Sequence, residues 1–298
     1  MKVLSLFDGM SCGQIALSKL GINISKYYAA EIKKHAIQCV KNNFPNTIHI
    51  GDVRKVSYKN GVLTTENGQF SVGDIDLVIG GSPCQDLSSL MANRKGLQGD
   101  KSSLFWEYHR IVNEVKPKYF FLENVGSMSP QDGITITNAM GVNGVRIDSC
   151  IFSAQLRDRI YWTNIPGNSV DIFGESCFVL PQDKGIILND ILESGETTRD
   201  KALCLTARYG GRWSHIIEGQ KFRAPKIQKQ LIHRYNKGFD NIVFENGYVR
   251  LLTIKEQERL QTVPEGYTHG LSFVDAANLL GDGWTIDVIC FLFQNLNK

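Results

Sequence analysis

The first half of the chain alternates short apolar runs with stretches of helical periodicity. The apolar runs at residues 3–7, 27–31, 77–79 and 119–122 include continuous stretches that are typical of parallel strands buried on both faces. Helical spacing appears between these runs, most clearly at 104–115. The alternation predicts an α/β fold built on a doubly wound, mostly parallel sheet.

The pattern changes near residue 166. From there to about residue 248, turn residues are frequent and helical periodicity is weak, and the periodicity returns at 253–261 and 284–293. We therefore predict a main domain, a small inserted domain and a C-terminal segment that completes the main domain. The expected boundaries are 1–165, 166–248 and 249–298.

Composition excludes several classes of protein. The 298 residues are 42% hydrophobic and 21% charged, which is ordinary for a globular chain and unlike a disordered one. No apolar run approaches the roughly 18 residues of a membrane helix, and the first residues lack the pattern of a secretory signal. We therefore expect no membrane partner and a cytoplasmic location.

The net charge of +3 is unevenly distributed. Residues 199–240 contain ten Lys and Arg but three Asp and Glu, so this window carries +7 and the remainder −4. Such asymmetry is typical of a segment that meets a polyanion, and it is equally compatible with a solvated basic surface.

The seven cysteines form no CxxC pair, and their number is odd. This usage disfavours a disulfide framework and a Cys-rich zinc site, and it favours a reducing compartment. We therefore expect no metal in this protein.

Gly and acidic residues follow the first strands, at the edge of the sheet where ligands of open α/β folds bind. The first strand runs into FDGMSCG at residues 7–13, which is not the GxGxxG of a dinucleotide site. Glu31 ends the second strand and could grip ribose hydroxyls, and Asp52 could accept from an adenine amine. Together these residues indicate a nucleoside cofactor without a pyrophosphate, although each is commonplace alone.

Reactive side chains follow the later strands. Cys84 lies on the Gly/Pro loop GGSPCQ, where a thiolate would be exposed, and Glu123 leaves an apolar strand, where desolvation would favour its acid form. Arg157 and Arg159 share one face of an extended segment and suit phosphate or carbonyl oxygens. The alternatives are a structural cysteine, a helix-capping acid and a solvated strand face.

Taken in order, these motifs resemble those of the C5-cytosine DNA methyltransferases. FDGMSCG, AAEIKKH and GDVRKV are similar to the family's first three motifs, and GGSPCQDLS, FFLENV and QLRDR to its nucleophile, acid and arginine motifs. RLLTIKEQERLQTVPEGY and LLGDGWTID resemble the last two. The PCQ, ENV and QxRxR signatures at these separations are specific.

The resemblance implies a methyltransferase fold that binds S-adenosylmethionine and releases S-adenosylhomocysteine. Cys84 would attack C6 of a flipped-out cytosine, Glu123 would protonate N3, and Arg157 and Arg159 would contact the base carbonyl and a phosphate. The implied cofactor-binding residues are Phe7, Asp8, Gly9, Met10, Ser11, Gly13, Glu31, Ile32, Asp52, Val53, Gly81, Pro83, Leu104, Asp282, Gly283 and Trp284.

Two features depart from the usual bacterial pattern. FDGxxxG and the tryptophan after GDG are similar to the eukaryotic de novo branch, and Asp282 stands where the family usually has Asn. The substitution bears on the polar contacts to the methionine end of the cofactor.

The basic window falls where the family keeps its target-recognition domain, so the implied partner is double-stranded DNA. Tyr209, Trp213 and Tyr235 are interleaved with its basic side chains. Backbone phosphates would bind Lys and Arg in this domain. The expected DNA-binding residues of the whole chain are Gln85, Ser88, Gln155, Arg199, Arg208, Arg212, Lys221, Arg223 and Lys226.

Two alternatives stay open. A tRNA methyltransferase of the same family would carry Cys-Phe-Thr, whereas Cys177 and Phe178 precede Val179 here. A non-catalytic DNA-binding relative would follow if Asp282 prevented cofactor binding. We see no regulatory or chromatin-reading domain in the sequence, which favours a bacterial or phage enzyme linked to a restriction endonuclease partner or to phage protection. We also expect a monomer.

Overall fold

Residues of the central strands are buried because helices cover both faces of a doubly wound sheet. Val3, Leu4 and Leu6 of the first strand are fully buried, and so are Leu77 and Ile79. The structure, a computed structural model, describes residues 1–83, 87, 96–99, 103–207 and 223–296.

The strands, numbered in chain order, are short. They are β1 (Lys2–Leu6), β2 (Lys26–Ala30), β3 (Ile48–His49), β4 (Ser57–Lys59), β5 (Val62–Thr65), β6 (Gly68–Ser71), β7 (Leu77–Gly81), β8 (Tyr119–Val125), β9 (Val145–Asp148), β10 (Asp158–Thr163), β11 (Ser169–Val170), β12 (Ser176–Cys177), β13 (Ile242–Glu245) and β14 (Tyr248–Leu251).

The helices fall between these strands and after them. They are α1 (Cys12–Lys19), α2 (Lys34–Asn43), α3 (Leu104–Val115), α4 (Pro130–Met140), α5 (Leu188–Ile191), α6 (Pro225–Asn236), α7 (Ile254–Leu260), α8 (Phe273–Asp282) and α9 (Ile286–Phe293), with 3₁₀ turns at Val53–Lys55, Gly96–Gln98 and Ser149–Ile151.

Seven strands form the central sheet, in the order β3-β2-β1-β7-β8-β10-β9. β3, β2, β1, β7 and β8 pair in parallel, whereas β10 runs antiparallel to β8. The predicted α/β fold with a mostly parallel sheet is confirmed. The antiparallel strand begins at the edge where the parallel strands end, since Arg159 lies opposite Val125.

Contacts divide the chain into two units. The first comprises Met1–Ile147, Asp158–Leu180 and Ile289–Lys298, and the second Asp148–Arg157 and Pro181–Val288. The core of the first unit includes Leu6 and Trp162 of the sheet and Phe105 of α3. The second unit has two smaller cores, around Leu205 and Leu260 and around Leu231 and Tyr235.

This division differs from the boundaries expected at 165/166 and 248/249. The segment after Ile165 stays with the sheet, because Asn295 donates to the carbonyls of Pro166 (3.2 Å) and Gly167 (2.5 Å). Phe178 also packs on Phe291, with ring centroids 5.9 Å apart. The second unit begins instead near Pro181, and it also includes residues 148–157.

Two elements of the structure were not expected. β4, β5 and β6 form an antiparallel sheet, and Asn60 and Gly61 turn between the first two with φ of 50° and 78°. Asn-Gly is a strong hairpin signal, because a tight hairpin turn needs positive φ at both central residues and Asn and Gly adopt it readily. Helix α6 lies in the region of weak periodicity, where Leu231 and Tyr235 are buried four residues apart.

One stretch of the described chain, Phe273–Phe293, has the length and apolar composition of a membrane span. Because 67% of an 18-residue window within it is buried, it also fits the core of a globular protein, and it is weak support for a membrane contact. Within the described ranges, no three His, Cys, Asp or Glu side chains are grouped so that they could hold a metal ion.

Gly80 should be intolerant of any side chain. A Cβ there would lie 2.9 Å from the Leu6 carbonyl oxygen and 2.9 Å from Cδ2 of Tyr108, so Gly80→Ala forces the middle of the sheet apart. We expect a loss of about 1–3 kcal/mol in the free energy of unfolding, measured by urea denaturation.

Gly133→Ala is the matched control. Its Cβ would meet only Met128 Sδ, at 3.7 Å, inside helix α4. The control should gain about 0.5–1 kcal/mol, because alanine favours the helix. Equal stability of the two variants would contradict the packing argument.

Candidate active site

The loop after β1 has an unusual backbone. Phe7, Gly9 and Ser11 have φ of 58°, 57° and 58°, which is uncommon for Phe and Ser. Asp8 N donates to the Ala30 carbonyl at 3.1 Å, which ties the loop to the end of β2. Such backbone strain is concentrated at functional sites, where the surrounding structure maintains it.

The loop leaves room for a ligand at Gly9. A Cβ built there would meet nothing within 4 Å, whereas a Cβ at Gly13 would lie 2.2 Å from Ile79 Cδ1. The first glycine therefore borders open space, and the second allows α1 to pack closely on the sheet. This arrangement fits a cofactor that approaches the backbone at residue 9.

Glu31 is fixed at the end of β2 by backbone donors. Its Oε2 accepts from Gly9 N at 2.8 Å, and its Oε1 accepts from Ile32 N and Lys33 N, each at 2.8 Å. Two carboxylate oxygens offer about four lone pairs, so capacity remains for a ribose hydroxyl. The neighbouring Ile32 is 64% exposed and is apolar.

Asp52 is committed to an ion pair. Both of its oxygens accept from Arg54 Nε at 3.0 Å, and this hydrogen bonding holds the pKa of Asp52 below its usual value. Val53 follows it and is buried. Contact between Asp52 and an adenine amine stays a prediction.

Several loop residues that were predicted to contact the cofactor have buried side chains. Asp8, Met10 and Ser11 are buried, and Asp8 accepts from Tyr27 OH at 2.8 Å and from the Ser11 hydroxyl. These side chains support the loop from inside the protein, so only their backbone could face a ligand. Tyr27 was missed by sequence reasoning, since nothing marks a strand tyrosine as the partner of Asp8.

The end of β8 holds the loop that follows β7. Asn124 Nδ2 donates to Ser82 Oγ at 3.2 Å, and its Oδ1 accepts from Val125 N at 2.8 Å. Asn124 and Ser82 are both buried. Asn124 therefore fixes the chain just before Pro83, a role that sequence reasoning missed although the ENV motif contains the residue.

The predicted nucleophile Cys84 lies outside the described residues, as do Gln85, Ser88, Arg208, Arg212 and Lys221. The predicted cofactor residue Gly81 lies opposite Glu123 in the ladder between β7 and β8. Leu104 begins α3 and is half-buried.

Glu123 and Arg159 form an ion pair in the first unit. In the antiparallel ladder Glu123 lies opposite Tyr161 and Val125 opposite Arg159, so the two side chains meet with Arg159 Nε 2.8 Å from Glu123 Oε1. Their side chains are 11% and 14% exposed. A carboxyl group beside a guanidinium can bind a ring nitrogen and an adjacent carbonyl of a base.

Gln155 and Arg157 differ from the contacts predicted for them. Gln155 is fully buried, and its amide bonds Leu205 N and Gln261 within the second unit. Arg157 is 3% exposed and donates to backbone carbonyls of the same unit, including Leu205 O at 2.9 Å. Both side chains are buried and have partners inside the second unit, so Gln155 is not exposed for contact with DNA. Arg157 and Arg159 also have different partners, because Arg159 pairs with Glu123 in the first unit.

The other predicted residues of the second unit are spread over it. Asp282 ends helix α8, and Gly283 and Trp284 follow. Arg199 stacks on Tyr235, with its guanidinium carbon 4.0 Å from the ring centroid. Arg223 and Lys226 are exposed, with Arg223 5.2 Å from the Tyr248 ring centroid.

Asp8 should make stability pH-dependent. Burial raises its pKa from 3.8 to about 6, so Asp8 holds a proton more tightly in the folded protein than in the unfolded chain. The contribution of protonated Asp8 to the free energy of unfolding is fully present below pH 3.8 and is lost as the pH rises through about 6. In the wild type, the free energy of unfolding should therefore fall by up to about 3 kcal/mol between acid and neutral pH. Asp8→Asn should remove this fall, as measured by urea denaturation across the same pH range.

The exposed Asp74→Asn variant controls for the loss of one carboxylate. It should retain the wild-type difference in stability between acid and neutral pH. The idea fails if Asp8→Asn and wild type show parallel pH profiles.

Arg159 should be needed for stability as long as Glu123 is present. Arg159→Met leaves a buried carboxylate unpaired, and we expect a loss of about 3–5 kcal/mol. The double variant Glu123→Gln/Arg159→Met should recover most of it, as measured by guanidinium denaturation in a double-mutant cycle. Additive losses would show that the two side chains do not interact.

Comparison with known proteins identifies relatives among phage and bacterial methyltransferases. The orphan methyltransferase M.Rho11sI of Bacillus phage rho11s is 30% identical over 236 residues, which cover 75% of this chain and 43% of that protein. The chain thus corresponds to less than half the length of that relative. The type II methyltransferase M1.ScrFI of Lactococcus lactis subsp. cremoris is 26% identical over 310 residues, which cover 97% of this chain and 76% of that protein.

The fold is shared with solved structures. The methyltransferase EhMeth of Entamoeba histolytica superposes with a TM-score of 0.68, covers 100% of this chain and 99% of its own, and is 17% identical. The family described as C-5 cytosine-specific DNA methylase matches residues 1–298. Because this match extends over the whole sequence, the chain belongs to the C-5 cytosine-specific DNA methylase family.

Proposed function

We propose that this chain is a DNA cytosine-5 methyltransferase that uses S-adenosylmethionine. The observation that carries the proposal is the buried Glu123–Arg159 pair at the end of β8, opposite the β7 end that leads to Cys84. An acid beside a guanidinium suits N3 and the carbonyl of a cytosine. Family membership and the phage and bacterial relatives support DNA as the substrate.

The first chemical step needs an activated ring. The Cys84 thiolate adds to C6 of cytosine while the Glu123 carboxylate passes a proton taken from solvent to N3, so the ring electrons are drawn away from C6. Arg159 holds the Glu123 carboxyl group and offers N–H donors toward the base carbonyl. The addition converts the ring to an enamine whose C5 is nucleophilic.

When bound near Gly9 and Glu31, S-adenosylmethionine would supply the electrophilic methyl group that C5 takes, and S-adenosylhomocysteine would be the product. A base then removes the proton from C5, and the electron pair expels the Cys84 thiolate and restores the aromatic ring. The target base cannot be reached inside a duplex, so the cytosine is flipped out of the stack first.

Residues of the first unit suit the cofactor. Gly9 borders open space, Glu31 has lone pairs for ribose hydroxyls, and Ile32 offers an exposed apolar face for adenine. The buried Asp8 and Ser11 keep the loop in its strained conformation. The resemblance to the family adds Gly81 and Pro83 of the first unit. For the second unit it names Asp282, Gly283 and Trp284 as cofactor residues, which stays a proposal.

DNA binding is assigned to the basic residues of the second unit. Arg223 and Lys226 are exposed there, and Arg223 lies beside Tyr248, a ring that could stack on a base. Arg199 is the weaker candidate, because its guanidinium already donates to the carbonyls of Asp240 and Tyr235. We also propose a monomer that acts in the cytoplasm on bacterial or phage DNA, with a restriction endonuclease as a functional partner.

Cys84 and Glu123 should both be required for methyl transfer. With labelled S-adenosylmethionine and duplex DNA, we expect 5-methylcytosine from the wild type and none from Cys84→Ala. Glu123→Gln should lower kcat by roughly 10²–10⁴-fold, because it loses the proton donor. Bisulfite sequencing of DNA from expressing cells would report the target sequence.

Cys177→Ala is the matched control, since Cys177 is a half-buried strand cysteine outside the proposed site. It should keep wild-type activity. Methylation of tRNA in preference to DNA would overturn the substrate, and full methylation by Cys84→Ala would overturn the mechanism.

A further inference from the structure

Arg157 is the centre of a buried polar cluster in the second unit. Its Nη2 donates to the carbonyls of Gly283 at 2.6 Å and Gly281 at 3.0 Å, and its Nη1 donates to Leu205 O at 2.9 Å. Cys204 Sγ lies 3.3 Å from Nη1. Residues 281–284 comprise the last two residues of α8 and the two that follow, and are called the turn below. One guanidinium therefore joins this turn to the segment at residues 204–207.

A second side chain holds the same turn. Gln261 Nε2 donates to Leu280 O at 2.5 Å, and its Oε1 accepts from Thr285 Oγ1 at 2.9 Å. Gln155 Nε2 reaches the same oxygen at 3.3 Å, and its own Oε1 accepts from Leu205 N at 2.7 Å. Gln155, Gln261 and Thr285 are each at most 1% exposed.

The turn and the segment also touch through their backbones. A Cβ at Gly281 would lie 2.3 Å from the carbonyl carbon of Thr206 and 2.4 Å from Ala207 N. No side chain fits between them. The turn that contains Asp282 therefore rests directly on the segment that Arg157 and Gln155 hold.

The chemistry of the cluster argues against contact between Arg157 and a base. Guanidinium has five N–H donors in a fixed planar fork, and three strong acceptors already occupy the forked end of Arg157. Releasing it toward a base would take a donor from each of three carbonyls, and the other donors to Gly283 O and Leu205 O, Gln261 Nε2 and Cys204 Sγ, are both at 3.3 Å. The cost is comparable to losing several hydrogen bonds. Its sequence neighbour Arg159 instead pairs with Glu123.

We infer that Arg157 is a positioning residue that holds the turn at residues 281–284 in the conformation that binds S-adenosylmethionine, and that it does not contact the target cytosine. The inference rests on the proposed function, because the assignment of Asp282 and Trp284 to the cofactor comes from that proposal.

The two roles of Arg157 affect different measurements. A residue that contacts the base acts only when DNA is bound, so its loss lowers kcat and leaves cofactor binding by the free enzyme unchanged. A residue that positions the turn acts before DNA arrives. Its loss weakens cofactor binding in the absence of DNA and raises the KM for S-adenosylmethionine.

The test is calorimetric titration of the full chain with S-adenosylhomocysteine, without DNA. Arg157→Lys keeps the charge but not the planar fork, and we expect affinity to fall at least about tenfold. Gly281→Ala should weaken binding similarly, because the new Cβ separates the turn from Thr206. Arg159→Lys is the matched control, with unchanged affinity for S-adenosylhomocysteine and a reduced kcat.

The outcomes separate the inference from the proposed function. Wild-type affinity in Arg157→Lys, from a protein that binds cofactor and methylates DNA, overturns the inference alone. A wild type that binds no cofactor overturns both. If Arg157→Lys fails to fold, Thr285→Val removes a single hydroxyl from the cluster, and it must likewise raise the KM for S-adenosylmethionine or the inference fails.

Discussion

A buried carboxylate must meet a cation, and in the first unit this requirement links the strands that end at the proposed site. Burial of an unpaired charge at the end of an apolar strand costs several kcal/mol, so Glu123 depends on Arg159. Arg159 reaches it only because β10 runs antiparallel beside β8. The antiparallel pairing of β10 with β8 thus places Arg159 beside Glu123.

The same strand end governs the neighbouring loop. Asn124, next to Glu123, holds Ser82, and parallel register aligns Gly81 with Glu123. Along the sheet, the strained loop at residues 7–11 is held by the buried Asp8 and Tyr27. Hydrogen bonds to buried side chains thus fix the chain at residues 7–11 and at Ser82, and both points follow strands of the sheet.

Much of the fold and part of the site could be predicted from sequence. Continuous apolar runs located β1, β2, β7 and β8, because a strand buried on both faces has no polar positions to alternate with. Motif order predicted Glu31 and Glu123 near the ends of their strands, where the structure has them, and their roles stay predictions. The roles of Gln155 and Arg157 could not be predicted, since the partners of Arg157 lie 48 to 126 residues away and its charge suggests a surface residue. Tertiary contacts of this kind leave no local pattern.

The ladder between β8 and β10 has a consequence for how the chain can change over time. Register, and not the length of the connecting chain, sets which residues of the two strands face each other. Insertions or deletions between Gly141 and Val145, where the chain turns after α4, would therefore leave the acid and its guanidinium aligned. The length of this connection can therefore change without moving Glu123 and Arg159 out of register, provided that Gly144 keeps its close contact with Ile160.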